Sequence, residues 1–524
     1  MSTITETITE PVRASLAPSD GQRQLSIDAT DHEPILTSNR AVALICCITC
    51  ITAIGNLLAG LLTVCIPVIS VDLNIPPELQ LWPASAFALA CGCTLLPCGA
   101  VADVVGCRRV CLLGAFLQAC CALGAGLSQT SRQLIGLRAA AGVAASFCLP
   151  SAVAVAAHTF PASRNPKLRN AAFAAMGGGQ AVGFGLGLVI GGVCADTIGW
   201  RWGFYATTIL NGLVLALSFW ALPSAIDGGR LDKTVLKRLG DNVDWFGGLI
   251  ISTSLALLSY ELAVATGANA DTEETFRQPL NIILLCIGVL LLPCFVFWMR
   301  YQDRHERPAL IPNSLWTNVP FVTVCVTVFL VWGALNASEQ LIALYLQDVR
   351  DYTALTSSLY FLPAPIVGML VNIFVGLCLP YLRPSVAVPV ACAVSGVASV
   401  LLAVLCRVDG PSYWEAVFPA VALNPLGADL IYTIANLVVT AAFPTKTQAL
   451  AGSVFHMLSQ IGKSVGIATT ALIARQITGE EESKSALVNG YRAGWWYNAA
   501  LGLAAVAVSL WGLRSVKQLG VKRD

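Results

Sequence analysis

The sequence predicts an all-α membrane protein with fourteen transmembrane helices, and three observations carry that prediction. The 524-residue chain is 56% hydrophobic and only 12% charged, where soluble domains carry about 25% charged residues. A bilayer core of about 30 Å asks for about 20 apolar residues of helix, and fourteen such runs can be read in order. The Lys and Arg residues then fall on alternate loops: 21 of 31 on one side, 8 on the other, and Arg138 and Lys463 inside runs. Basic loops stay cytoplasmic, so both termini are expected in the cytoplasm.

The runs are roughly 42–69, 82–102, 110–128, 134–158, 171–195, 203–223, 245–266, 279–299, 319–346, 353–380, 386–406, 414–442, 449–475 and 494–513. The polar turn around Asp348, Arg350 and Asp351 separates the ninth from the tenth. Residues 1–40 precede them, rich in Ser, Thr and Pro with six acids against three bases, the composition of a disordered tail. No charged start, short apolar run and small-residue cleavage site marks a signal peptide there, so the first helix is its own insertion signal. Trp82, Trp200, Trp202, Trp245, Trp298, Trp316, Trp414 and Trp495 stand near helix ends, where interfacial aromatics anchor a bundle.

Several function classes are excluded. The net charge of +1, with no long basic run, gives no basis for binding nucleic acid. The 19 cysteines lie almost entirely in apolar runs, and the Cys47/Cys50 pair sits among Ile, Ala and Thr, as apolar filler does. His32, His158, His305 and His456 are not at metal-ligand spacing. Gly462-Lys463-Ser464 resembles the end of a phosphate-binding loop, but Met457 stands where that loop requires Gly. The chain is therefore read as a non-enzyme, with neither cofactor nor metal, acting as a monomer.

Ionisable groups inside a membrane span are costly and are functional candidates by default. Five qualify: Arg138, Glu261, Glu339, Asp429 and Lys463. In 414–442, Asp429, Tyr432, Thr433, Asn436 and Thr440 recur at helical spacing, and in 449–475 so do Ser453, His456, Gln460 and Lys463. Asp429 and Lys463 each lie on the order of 22 Å into their helices, near mid-membrane. Two polar stripes with opposite charges at one depth suggest either a wet cavity with an Asp429–Lys463 pair, able to take part in proton coupling, or a structural salt bridge. Asn336, Glu339 and Gln340 form a third polar patch, expected towards the outer surface, and Gln180 is a further lining candidate. Asn336-Ala337-Ser338 matches a glycosylation sequon within a helix, where no glycan is expected. Glu261 approaches the outer end of its span and is expected to be solvated.

Residues 177–192, GGGQAVGFGLGLVIGG, hold eight glycines in sixteen residues, although each glycine costs a helix about 1 kcal/mol relative to alanine. The spacing fails the dinucleotide-loop pattern at Leu188 and Ile190, and residues 171–195 carry no charge, which excludes a linker. Gly179, Gly183, Gly187 and Gly191 recur every four residues on one face, extended by Ala175 and Ala195. Small residues at that spacing allow a neighbouring helix close approach.

These motifs resemble those of the major facilitator superfamily over roughly residues 42–515. Gly99-Ala-Val-Ala-Asp103-Val-Val-Gly106-Cys-Arg108-Arg109 is similar to the family's conformational loop signature, with Val104 and Cys107 in place of basic residues. Leu137-Arg138-Ala-Ala-Ala-Gly142 resembles a fourth-helix pattern, which implies for Arg138 a buried cation linked to proton movement, against a paired structural arginine. Gly183, Gly187, Gly191 and Gly192 match the fifth-helix antiporter signature, with Leu188 where Pro is usual, and Trp200–Tyr205 resembles the start of the sixth helix. The resemblance implies two six-helix bundles, 41–223 and 311–515, a 224–310 linker with two extra central helices, and a 516–524 tail.

It further implies the fourteen-helix drug:proton antiporter branch, similar to fungal multidrug and secondary-metabolite efflux pumps. The expected partners are a small-molecule substrate, protons and the lipid bilayer, in the plasma membrane or alternatively the vacuolar membrane. One departure matters: Leu58 stands where that branch often carries a first-helix acid, so coupling would fall to Asp429, Arg138, Lys463 or Glu339. Proton-coupled uptake of a small ion, siderophore or nutrient is the first rival, and a non-transporting membrane receptor the second.

Overall fold

The computed structural model describes residues 38–160, 166–224, 227, 233–267, 279–305, 307, 309–311, 313–378, 383–442, 445–479 and 483–514. Both expected tails, 1–40 up to residue 37 and 516–524, lie outside the described residues. The chain divides into two units, 1–43 and 44–524. The described part of the first, 38–43, is helical, and the helix bundle belongs to the second.

Every element among the described residues is helical. The order is α1 Ser38–Asp72, α2 Trp82–Val105, α3 Cys107–Leu127, α4 Ser131–Thr159, α5 Pro166–Asp196, α6 Trp200–Ala221, α7 Lys233–Asn242, α8 Trp245–Gly267, α9 Pro279–Arg304 and α10 Val319–Leu344. Then come α11 Ala354–Phe361, α12 Pro363–Cys378, α13 Pro384–Leu405, α14 Tyr413–Leu423, α15 Pro425–Ala442, α16 Thr445–Thr478 and α17 Lys484–Gly512.

Local chemistry sets several starts. Thr130 accepts the Gln133 N–H at 3.3 Å to cap α4, Asn318 accepts that of Phe321 at 3.1 Å to cap α10, and Ser483 accepts that of Ala486 at 3.3 Å to cap α17. Such side-chain acceptors satisfy N–H groups that a helix start leaves unpaired.

Eleven helical stretches of the described residues are long and apolar enough to cross a membrane. Two of the fourteen expected runs carry a one-residue turn just before a proline, at Leu362 in 353–380 and at Asn424 in 414–442, where the backbone keeps helical angles and the Asn424 N–H still reaches the Ala420 carbonyl. Proline removes an interior hydrogen bond, so each turn marks a weak point in a helical span, and the apolar stretch Ala354–Phe374 runs through the first of them. Helix α8 runs 23 residues, Trp245–Gly267.

The bundle is apolar outside as well as inside. Along α9, Ile283, Leu290 and Phe297 are exposed, as side chains facing lipid would be. The largest buried cluster lies towards the Asp72 end of α1 and draws on helices from both ends of the sequence, including Leu58, Leu61, Leu341, Tyr345, Phe361 and Trp495. Gln340 Nε2 donates to Thr63 Oγ1 at 2.8 Å and Gln347 Nε2 to the Val64 carbonyl at 2.9 Å, so α1 and the α10 region are joined there. A second crossing contact, Ser85 Oγ to Ser464 Oγ at 2.8 Å, ties α2 to α16.

Candidate functional site

Three membrane charges converge between α10, α15 and α16. Lys463 on α16 interacts electrostatically with Glu339 on α10, and Glu339 in turn with Asp429 on α15. Glu339 is buried in the bundle, with 8% of its surface exposed, and α10 continues for another turn beyond it. Glu339 is thus an electrostatic neighbour of Lys463, and the Asp429 carboxylate is hydrogen-bonded by Asn372 of α12. Helices α10 and α16 pack closely here, with Gly462 and Gly466 of α16 directly against Phe329 and Gly333 of α10.

Arg138 is buried at 2% exposure on α4. Its Nε donates to the Pro83 carbonyl at 3.2 Å, and its guanidinium lies 4.5 Å from the centre of the Phe87 ring. A carbonyl and an aromatic face are the partners a desolvated guanidinium uses without an acid. Arg138 also feels the like charge of Lys463. Arg138, Lys463, Glu339 and Asp429 thus form an electrostatic series of two cations and two acids.

The polar surroundings cross the bundle. Asn56 of α1 donates to Gln180 of α5 at 3.3 Å, and Gln180 hydrogen-bonds Tyr432 of α15. Tyr432 stacks on Trp332, with ring centres 6.2 Å apart, and meets His456 edge-on at 5.6 Å. Asn336 donates to the Trp332 carbonyl at 2.9 Å, and Gln460 faces Gly92 of α2. Of the two stripes, the side chains of Thr433, Asn436 and Thr440 lie outside the described residues. Asn56 and Asn372 were not singled out by sequence reasoning; an isolated amide in an apolar run was the available signal. Glu261 is 2% exposed, with neither carboxylate oxygen hydrogen-bonded among the described residues.

The loop motif turns at Gly106, whose φ of +113° is one side chains rarely adopt. A Cβ there would also lie 2.5 Å from Asp227 Oδ1. Asp227 is the residue that holds the loop: Oδ1 accepts the Arg108 and Arg109 N–H groups at 3.1 and 3.4 Å, and Oδ2 pairs with Arg109 Nε at 3.5 Å. It thus caps α3 from the segment after α6. Arg108 Nη2 donates to the Phe219 carbonyl at 3.1 Å. The motif's own acid, Asp103, stays exposed near His158, and Gly99 lies against Pro150.

The glycine row of α5 faces α1. Gly179, Gly183, Gly187 and Gly191 lie over Thr49, Ala53, Leu57 and Leu61 in turn, and a Cβ on Gly183 or Gly191 would stand 2.6 or 2.9 Å from a carbonyl oxygen of α1. Gly192 turns the other way, towards Leu355 and Ser358 of α11. Helix α5 thus makes contacts on both sides, close to the backbone of each neighbour.

Comparison with known proteins agrees with this architecture. The family model described as Major Facilitator Superfamily matches residues 45–467. The "MFS-type transporter 1" of Pyricularia oryzae is 34% identical, the match covering 92% of this chain and 85% of that protein. The "Efflux pump terJ" of Aspergillus terreus is 24% identical over 82% of this chain and 79% of its own. The "Low affinity ammonium transporter" of Saccharomyces cerevisiae is also 24% identical, over 84% and 83%. Among solved structures, a bacterial homologue of the human lysosomal transporter Spinster, inward-facing and unoccupied, superposes with a TM-score of 0.62 at 15% identity, covering 92% of this chain and 98% of that one. The chain is thus a membrane transporter, not an enzyme, and it belongs to the major facilitator superfamily.

Proposed function

We propose that this chain is a fourteen-crossing secondary transporter that exports small amphipathic organic molecules in exchange for protons. Residues 41–223 and 311–515 are its two moving halves, 224–310 carries the extra helices, and both termini face the cytoplasm of a cell whose plasma membrane holds it as a monomer. The carrying observation is the meeting of Glu339, Lys463 and Asp429 from three helices in the bundle interior, since membrane charges are costly and mark ion and substrate paths. Protonating Glu339 leaves Lys463 facing Arg138 without its counter-charge, which favours a rearranged state. Binding near the midplane between halves that rock around it is the general scheme for such carriers. Relatives named "Efflux pump terJ" and "Major facilitator superfamily multidrug transporter mfsC" support the export direction.

Uptake is the second reading, favoured by the relative named "Low affinity ammonium transporter". Accumulation of a fluorescent amphipathic dye decides between them, in cells with the wild type, Asp429→Asn or no protein, across external pH. Less dye with the wild type than without it is expected, with the pH dependence flattened in Asp429→Asn. More dye with the wild type overturns export, and unchanged pH-dependent export by Asp429→Asn overturns the coupling role.

A further inference from the structure

At the Asp72 end, one acid reaches from α5 to the start of α11. Leu355 N–H donates to Asp196 Oδ2 at 2.9 Å and Ala354 N–H to Asp196 Oδ1 at 3.2 Å. A helix start leaves its first N–H groups unpaired and carries partial positive charge, so a carboxylate answers both needs. Thr353 Oγ1 accepts the Thr356 N–H at 3.2 Å. Part of the cap of α11 is local, and part comes from the last residue of a helix far earlier in the chain. One turn before Asp196, a Cβ on Gly192 would lie 2.9 Å from Leu355 Cα, so the two backbones are nearly touching.

Helix α11 also ends at a point where the chain can bend. Pro363 and Pro425 lack the N–H that would continue the hydrogen-bond ladder, so α11 can flex against α12, and α14 against α15, although Leu362 and Asn424 keep helical backbone angles. The two short helices are clipped to each other: the rings of Tyr360 and Tyr413 stack with centres 3.8 Å apart and planes 9° from parallel, and the Tyr413 hydroxyl donates to the Tyr360 carbonyl at 2.9 Å.

We propose that Asp196 is the latch of this end of the transporter, holding α11 and α14 down as one lid hinged at Leu362 and Asn424. The proposal rests on the alternating-access reading above and adds the residue that biases one of its two states. When the lid lifts, the carboxylate and the freed N–H groups return to water, which solvates both, so the latch tilts the balance rather than locking it.

The test is hydrogen–deuterium exchange of the full-length protein in lipid nanodiscs, comparing wild type, Asp196→Ala and Asp196→Asn, with Asp72→Asn as a control acid at the same end. Exchange in 354–361 and 413–423 is expected to rise together about tenfold in Asp196→Ala, within the usual range of coupling between states, and to stay put in the control. In Asp196→Ala/Tyr413→Ala the rise is confined to 354–361, which separates a shared lid from the loss of two local hydrogen bonds. Unchanged exchange at 354–361 in Asp196→Ala, or a rise there with none at 413–423, overturns the proposal. Should the alanine variant not fold, the same peptides are read in Asp196→Asn, which keeps the side chain's size. Exchange is measured without substrate, so a failure of the export reading appears separately, as wild-type cells that do not differ from empty ones in dye content.

Discussion

Adding one methyl group at Gly187 tests whether α1 and α5 need their close approach. An alanine Cβ there would overlap the Leu57 carbonyl oxygen and stand 2.8 Å from Leu57 C, where ordinary contact begins at 3.4 Å. Even the second contact therefore demands a shift of 3.4 − 2.8 = 0.6 Å between two backbones that have no rotamer to yield. Gly178, on the same helix, has nothing within 4 Å of its would-be Cβ. Both substitutions gain the same helix propensity, about 1 kcal/mol, so their difference isolates the steric term, about 1–3 kcal/mol for overpacking. The expected outcome is that Gly187→Ala is less stable than Gly178→Ala by that amount in thermal unfolding of the purified protein in detergent, with Gly178→Ala at or above wild type. Equal stabilities would refute the reasoning, because the helices could then part without cost.

Removing Asp227 strips α3 of its cap and Arg109 of its partner. Asp227→Ala is expected to cost about 0.5–2 kcal/mol, the range for a lost cap, and to make the 105–112 segment more susceptible to proteolysis, whereas Asp103→Ala leaves both measurements near wild type. The Glu339–Lys463 pair is read by a double-mutant cycle in thermal unfolding. Glu339→Gln and Lys463→Met each remove one charge of the series, and a coupling of about 0.5–3 kcal/mol between the two effects is expected; additive losses would show that the two do not interact.

What could be read from the residues alone comes from rules that act locally. A bilayer sets the length of an apolar run whatever lies beside it, and basic residues report sidedness through counting. The four-residue period of the α5 glycines likewise exists in the string, because one helix face is defined by spacing. The loop motif was legible for the same reason, down to Gly106, where the turn requires a glycine whatever its surroundings. The turns at Leu362 and Asn424 were less legible: the prolines beyond them were visible, but prolines also sit inside α1, α2 and α4.

What escaped the string is partnership. Lys463 and Asp429 shared a depth and opposite sign, yet Lys463 also has Glu339 of α10 as an electrostatic neighbour, which the spacing of neither helix announces. Asp227 and Asp196 looked like ordinary acids at helix ends, and only the folded chain brings one to the start of α3 and the other to the start of α11. Sequence by itself determined a helical membrane bundle, its order and its candidate charges, since hydropathy and helical period are one-dimensional properties. The tertiary structure alone decided which charges meet and which acids hold the helix ends, since contacts between distant segments depend on packing angles for which no spacing in the chain is a signature.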